Sequence, residues 1–230
     1  MRLVLILLCL ACTRAPVEDS EEQDVNGCGT ERWAIKTGTD ANAFNVVQKP
    51  IAGTIAGLVA LPMQTGNDTD RIVPTEYIAY QLTDVNLLEF RRESDGDYHL
   101  VLSDGSHTML AEIPDPACVA GGPLQTPIAA ARAQFEARYP GAGAATVVNE
   151  TVTVAGVGFF DFLHSQTGVA PNAIELHPVL SICFGAKCAG PGPSGGPPPV
   201  THTGCATADL APWLALAPLL RRRRKVGTQY

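Results

Sequence analysis

The stretch "DYHLVLSDGSHTMLAEIPD", residues 97–115, decides the fold. Tyr98, Leu100 and Leu102 alternate with His99, Val101 and Ser103. A period of two marks a strand with one packed face. Asp104-Gly105 follows, then a second run from Thr108 to Ile113. Asp-Gly between two such runs supplies the positive-φ residues that a tight hairpin turn needs. Pro114 and Pro116 cannot donate to a strand ladder, so they end the second arm. The stretch is therefore read as an antiparallel hairpin. On its first arm, His99 falls opposite the apolar set and is expected at the surface.

Outward from the hairpin, "TEYIAYQLTDVNLLEFRRE" (75–93) reads as one long strand with broken alternation, of the kind that bends at a bulge. Beyond the hairpin, "TPIAAARAQFEARYPG" (126–141) reads as a helix. Thr126 can cap it, Pro127 suits its first turn and the alanines favour it. Ile128, Ala131, Phe135 and Tyr139 fall near one face, and Pro140-Gly141 stops it, which predicts a helix over 127–139. "ETVTVAGVGFFDF" is a further strand, interrupted at Gly156 and Gly158, and "AIELHPVLSICF" is the last. Three strands, a helix and two strands is the element order of an OB-fold. The expectation is a mainly β (α+β) domain, an OB-like five-stranded Greek-key barrel with one main helix between strands 3 and 4. A β-sandwich of the same strands is the rival. Residues 29–62 do not fit that order and are expected to pack on the barrel as an N-terminal extension. "KTGTD" within them lacks the Gly-x4-Gly-Lys spacing of a phosphate loop. Tyr77, Tyr80 and Tyr98 are read as packing residues rather than a base-stacking platform.

The two ends carry address signals. "MRLVLILLCLACTRAP" has an apolar run from Leu3 to Ala11, too short for the ~20 residues of a bilayer span. It fits a signal peptide over 1–15. Cleavage before Cys12, with lipidation of that residue, competes with a conventional cut after Thr13 to Ala15. The acidic run over 16–27 reads as a solvated linker, because close like charges repel and leave little to bury. Residues 189–204, "AGPGPSGGPPPVTHTG", are too rich in proline and glycine for helix or paired strand and read as a spacer. Over 205–230 Cys205, an apolar run from Leu210 to Leu220 and then Arg221, Arg222, Arg223 and Arg224 follow in order. This resembles the MYXO-CTERM sorting tail of myxobacterial surface proteins, although Pro212 and Pro218 interrupt its short apolar run. The resemblance implies a sorting protease acting at Cys205, and a chain exported and membrane-anchored in the envelope of a Gram-negative bacterium. An arginine cluster beyond an apolar segment also agrees with the positive-inside tendency.

Seven cysteines are present: Cys9, Cys12, Cys28, Cys118, Cys183, Cys188 and Cys205. With Cys9 lost in the signal, Cys12 lipidated and Cys205 used for sorting, four remain, an even number that suits disulfides in an oxidising compartment. Cys183 and Cys188 bracket the short loop "FGAK", which leaves Cys28 to pair with Cys118. A zinc site from these four is disfavoured, because they contain a single close pair. The whole chain carries a net charge of −7; from Cys12 to Cys205 there are 10 basic and 22 acidic residues, a net of −12. That charge repels polyanions, so nucleic acid is not an expected partner.

"DFLHSQTGVAPNAIELHPVL" (161–180) gathers the chemistry-bearing residues. Asp161, His164, Glu175 and His177 are all of types that coordinate zinc or calcium, and "ESDGD" (93–97) with Asp104 adds carboxylates. On that reading the chain would be a metal-dependent hydrolase or nuclease-like enzyme. The plainer reading is a loop between two strands, with Gly168 and Pro171-Asn172 as turn formers and His164, Gln166 and Asn172 bonding its backbone. Glu175 and His177, two apart on the last strand, share a face on either reading. No catalytic residue is assigned, because no nucleophile elbow, Rossmann fingerprint or HExxH motif is present.

The core over 28–188 also resembles a family of secreted bacterial proteins with no assigned reaction. The runs that carry it are "ERWAIKTGTD", "DYHLVLSDGSHTMLAEIPDPAC" and "GVGFFDFLHSQTGVAPNAIELHPVL". The expectation is a non-catalytic envelope module that binds a surface ligand or protein and requires no cofactor.

Overall fold

The fold is organised by one long strand, β2 (Ile78–Arg92). Its first half lies between β1 (Val47–Gly53) and β5 (Thr146–Phe160), and its second half between β3 (Tyr98–Ser103) and β5. Register shifts between Leu82 and Val85 and between Leu87 and Glu89 let it bend across both neighbours. The computed structural model describes residues 24, 26–163, 165–185 and 188. Among the site expectations, Cys12, His164, Cys205 and Arg221 to Arg224 lie outside these residues, as do the signal, spacer and sorting segments. Among the described residues no helix is long and apolar enough to cross a membrane.

The chain is mainly β, with six strands in one mixed sheet and few helices. The hairpin forms as read: β3 pairs antiparallel with β4 (Thr108–Ile113), Ser103 opposite Thr108 and His99 opposite Glu112. Asp104 closes its turn by accepting hydrogen bonds from the backbone N–H groups of Ser106 and His107. β4 meets β6 (Ile174–Phe184) in parallel at Leu110–Glu175 and Ala111–Leu176, and β6 pairs antiparallel with β5. A sixth strand, β1, corrects the five expected, because part of the N-terminal extension joins the sheet. Its burial alternates poorly and it contains Pro50, which a strand tolerates at a sheet edge, where β1 lies parallel to β2.

Among the described residues three α-helices accompany the sheet: α1 (Trp33–Thr37), α2 (Ile55–Val59) and α3 (Gln125–Arg138). α3 is the helix expected over 127–139. It starts at Gln125, so Thr126 lies inside its first turn and does not cap it. Ile128, Ala131 and Phe135 are its buried apolar positions, and the Phe135 ring meets Phe90 at 5.0 Å and Tyr98 at 4.6 Å. Around these rings Leu82, Leu87, Leu100, Leu102, Met109, Val154 and Leu176 form the main apolar core. Both expected disulfides are present, Cys28–Cys118 and Cys183–Cys188, as suits an oxidising environment.

The opposite face of the sheet is also covered, which corrects the expectation that His99 is exposed: it is 1% exposed. α1 packs against β6, and Arg32 and Lys36 lie over the ring of Phe159 on β5. A single strand's alternation shows which side His99 takes, whereas the covering comes from a distant segment.

Candidate functional site

Between α1 and the sheet, carboxylates and imidazoles converge with almost no solvent contact. β3 and the turn before it bring Asp95, Asp97 and His99; β4 brings Glu112; β6 brings Glu175 and His177. Asp97 and His177 are fully buried, and the others are at most 4% exposed.

Glu112 is the hub. Its Oε1 lies 2.9 Å from His99 Nδ1, and its Oε2 lies 3.2 Å from His177 Nδ1. The same His177 Nδ1 is 3.1 Å from Glu175 Oε1, while His177 Nε2 faces Asp97 Oδ2 at 3.5 Å. Asp97 is oriented from its other oxygen, which accepts a hydrogen bond from the Asp115 backbone N–H at 2.8 Å. At the margin, Lys36 Nζ pairs with Asp161 Oδ2 at 2.9 Å and Arg91 Nε with Glu93 Oε1 at 2.7 Å.

These surroundings set the proton affinities. Burial pushes the Asp95 carboxyl up to about 7, helped by the charge of Asp97. Burial likewise raises Asp97, against the pull of His177. Burial raises Glu175 too, and the charges of Glu112 and Asp161 add to it. For Glu112 burial works the same way, but the hydrogen bond from His99 and the charges of His177, His99 and Lys36 outweigh it and hold the carboxyl well below its usual range. Burial works to lower His177, yet contacts to Asp97, Glu175 and Glu112 raise it to about 10. His99 is raised in the same way, burial being outweighed by Glu112. Most of the carboxyls and both imidazoles thus hold protons more tightly than in water, as expected where negative charge outnumbers positive.

Of the four residues read from the sequence as ligands, Glu175 and His177 come together as their spacing required. Asp161 borders the group but is neutralised by Lys36, and His164 lies outside the described residues. Asp97, His99 and Glu112 were missed as members of one centre. A signal for two of them existed: a turn confined to residues 104–107 fixes the hairpin register and sets His99 opposite Glu112. Asp104, counted among the candidate carboxylates, stands apart at the hairpin turn. Asn172 holds the loop differently from the reading: its amide donates to the distant carbonyls of Leu58 and Leu61 at 3.0 Å each, and locally its Oδ1 accepts from the Ile174 backbone N–H at 3.3 Å. A small cleft bordered by Leu110, Phe162, Gln166, Ala170, Asp161 and Glu175 approaches the centre from outside.

No family model matches this chain, and no curated protein matches it. Among solved structures, a protein assigned as an aspartyl-tRNA synthetase from Leishmania major Friedlin is similar over 60% of this chain at 15% identity, with a TM-score of 0.35. The matched region spans 21% of that longer chain.

Proposed function

We propose that this chain is an exported, envelope-anchored, non-catalytic binding module built on an OB-type Greek-key barrel. The observation that carries the non-catalytic reading is burial. Glu112, Glu175 and His177 are 3%, 4% and 0% exposed, so a substrate of any size would have to displace packed structure to reach them. Burial at that depth favours a role within the protein over work on a visiting substrate.

The strand pairings support the barrel. β2–β3, β3–β4, β4–β6, β6–β5 and β5–β2 run in a ring, with α3 between the third and fourth of these strands and β1 as an addition. The export reading is supported by the two disulfides and by the N-terminal apolar run. Anchoring and presentation at the surface rest on the proline- and glycine-rich spacer and the Cys205-to-Arg224 pattern. The net charge of −12 between Cys12 and Cys205 favours a partner other than nucleic acid.

Two measurements test the proposal. Protease added to intact cells should remove the domain; recovery of protein in the cytosol at its uncut mass would refute export. Purified protein supplied in turn with zinc, manganese and calcium should turn over no ester, phosphodiester or peptide substrate above background. A rate abolished by both Glu112→Gln and His177→Gln would establish a hydrolase instead.

A further inference from the structure

We propose that Asp97, Glu112 and His177 form a buried site for a first-row divalent cation of the zinc or manganese type, independent of the export and non-catalytic readings above. The three side chains come from three separate segments: the end of the β2–β3 turn, β4 and β6. Each offers one ligand atom, and those atoms lie within 4.8 Å of one another. The acidic group does not carry the proposal alone, because two of its atoms are buried and aimed at each other without a hydrogen bond. Asp97 Oδ2 and His177 Nε2 have no hydrogen-bond partner among the described residues, although both residues are 0% exposed.

The gap between those atoms fits a bridging metal better than a direct hydrogen bond. A charge-assisted hydrogen bond would draw the nitrogen and oxygen to about 2.8 Å. Two donors bound at about 2.0–2.1 Å to one tetrahedral ion stand about 3.3–3.4 Å apart. The observed separation is 3.5 Å, close to the edge of a coordination tetrahedron.

The neighbouring contacts orient each ligand in the manner metal sites require. His177 Nδ1 hydrogen-bonds Glu175 Oε1, so its N–H points there, and a cation would take the place of the proton on Nε2, which faces Asp97. Glu112 is held through Oε1 by His99, and Asp97 is held through Oδ1 by the Asp115 backbone N–H, which leaves Oδ2 free to coordinate. Charge points the same way. Lys36 pairs with Asp161 and its charge also reaches Glu112, and Arg91 pairs with Glu93; the carboxyl groups of Asp95, Asp97, Glu112 and Glu175 still outnumber the imidazoles of His99 and His177 that they surround. A divalent cation offsets that surplus, and buried carboxylates are costly without such a partner. One imidazole with two carboxylates suits zinc or manganese and is foreign to calcium, which takes oxygen donors. Water would complete the shell.

The test uses the untagged full chain, purified without chelator and with its disulfides intact. Elemental analysis should find about one equivalent of zinc or manganese per chain, and treatment with a chelator should lower Tm, with recovery on adding back either ion. Cobalt in their place should give the visible bands of a four- or five-coordinate site. Asp97→Asn and His177→Gln should each weaken zinc binding by about 100-fold or more, and His99→Gln, which only orients Glu112, by about 10–100-fold. Asp104→Asn, at the hairpin turn away from the centre, should bind as wild type does. If the ligand variants do not fold, the wild-type titration still decides. Wild-type protein that takes up less than about one-tenth of an equivalent, with no change in Tm, overturns the site. Uptake that survives both ligand substitutions in folded protein overturns it equally.

Discussion

Arg32 shows how much of this fold depends on single buried charges. Its guanidinium spends every donor. Nε bonds the Asn67 carbonyl at 2.9 Å, Nη1 bonds Glu76 Oε1 at 2.8 Å and the Phe160 carbonyl at 2.7 Å, and Nη2 bonds Glu76 Oε2 at 2.9 Å and the Asp70 carbonyl at 3.1 Å. The same group stacks on Phe159, 4.6 Å from the ring centre, and Gly66 leaves room for it, since a Cβ there would lie 2.4 Å from the guanidinium carbon. Lysine carries the charge but not the planar fork, so charge alone does not satisfy this position. Arg32→Met should lower unfolding stability by about 3–5 kcal/mol, because Glu76 would remain buried without its cation. The backbone N–H groups of Ile72 and Phe160 still donate to Glu76, which places the cost toward the lower end. Urea denaturation of the variant measures it, and a loss under about 1 kcal/mol would mean that the pair contributes little. Nothing around Arg32 in the sequence marks it out, because its partner is 44 positions away and the fork is recognised only in space.

The elements were legible wherever local pattern and tertiary burial agree. The hairpin, α3, β5 and β6 follow from alternation, turn chemistry and a terminating Pro-Gly, all carried within a few residues. β1 was not legible, because most of its positions are exposed and it has no two-residue period to read. The interruptions at Gly156 and Gly158 were visible in the sequence, and the structure supplies their cause. The register between β5 and β6 shifts on both sides of Gly156, and the strands close in there. A Cβ on Gly156 would meet the Pro178 carbonyl oxygen at 2.9 Å and Leu176 Cβ at 3.0 Å, backbone and core atoms with little room to yield. Gly156→Ala should therefore cost about 1–3 kcal/mol, as overpacking does. Gly143→Ala is the control, since its Cβ would find only the Gly141 carbonyl at 3.8 Å. Thermal unfolding of the two variants side by side decides the matter; equal melting temperatures would show that β6 moves aside without penalty.

At the scale of the whole molecule, the N-terminal extension turns one sheet with a polar face into a domain with a buried charged centre. α1 lies against β6 and places Lys36 beside Asp161, and the chain leading into it is fastened by Cys28 to Cys118. The candidate centre was half legible for this reason. Glu175 and His177 announce themselves by their spacing on one strand, whereas Asp97 and Glu112 join them only once β3, β4 and β6 are side by side under that cover. The two disulfides should consequently differ in their effect on stability. Cys28–Cys118 spans a sequence separation of 90, against 5 for Cys183–Cys188. Closing the longer loop removes more entropy from the unfolded chain, about 4–5 kcal/mol against about 2 kcal/mol in the chain-entropy model. Replacing Cys28 and Cys118 together by serine should shift the guanidinium midpoint roughly twice as far as replacing Cys183 and Cys188. The longer bridge has a second effect that loop entropy does not include. Loss of it frees the cover over the centre, so hydrogen exchange at β6 amides near His177 should quicken in that variant and stay unchanged in the other. Equal midpoint shifts, with β6 protection intact in both variants, would mean that packing alone holds the extension in place.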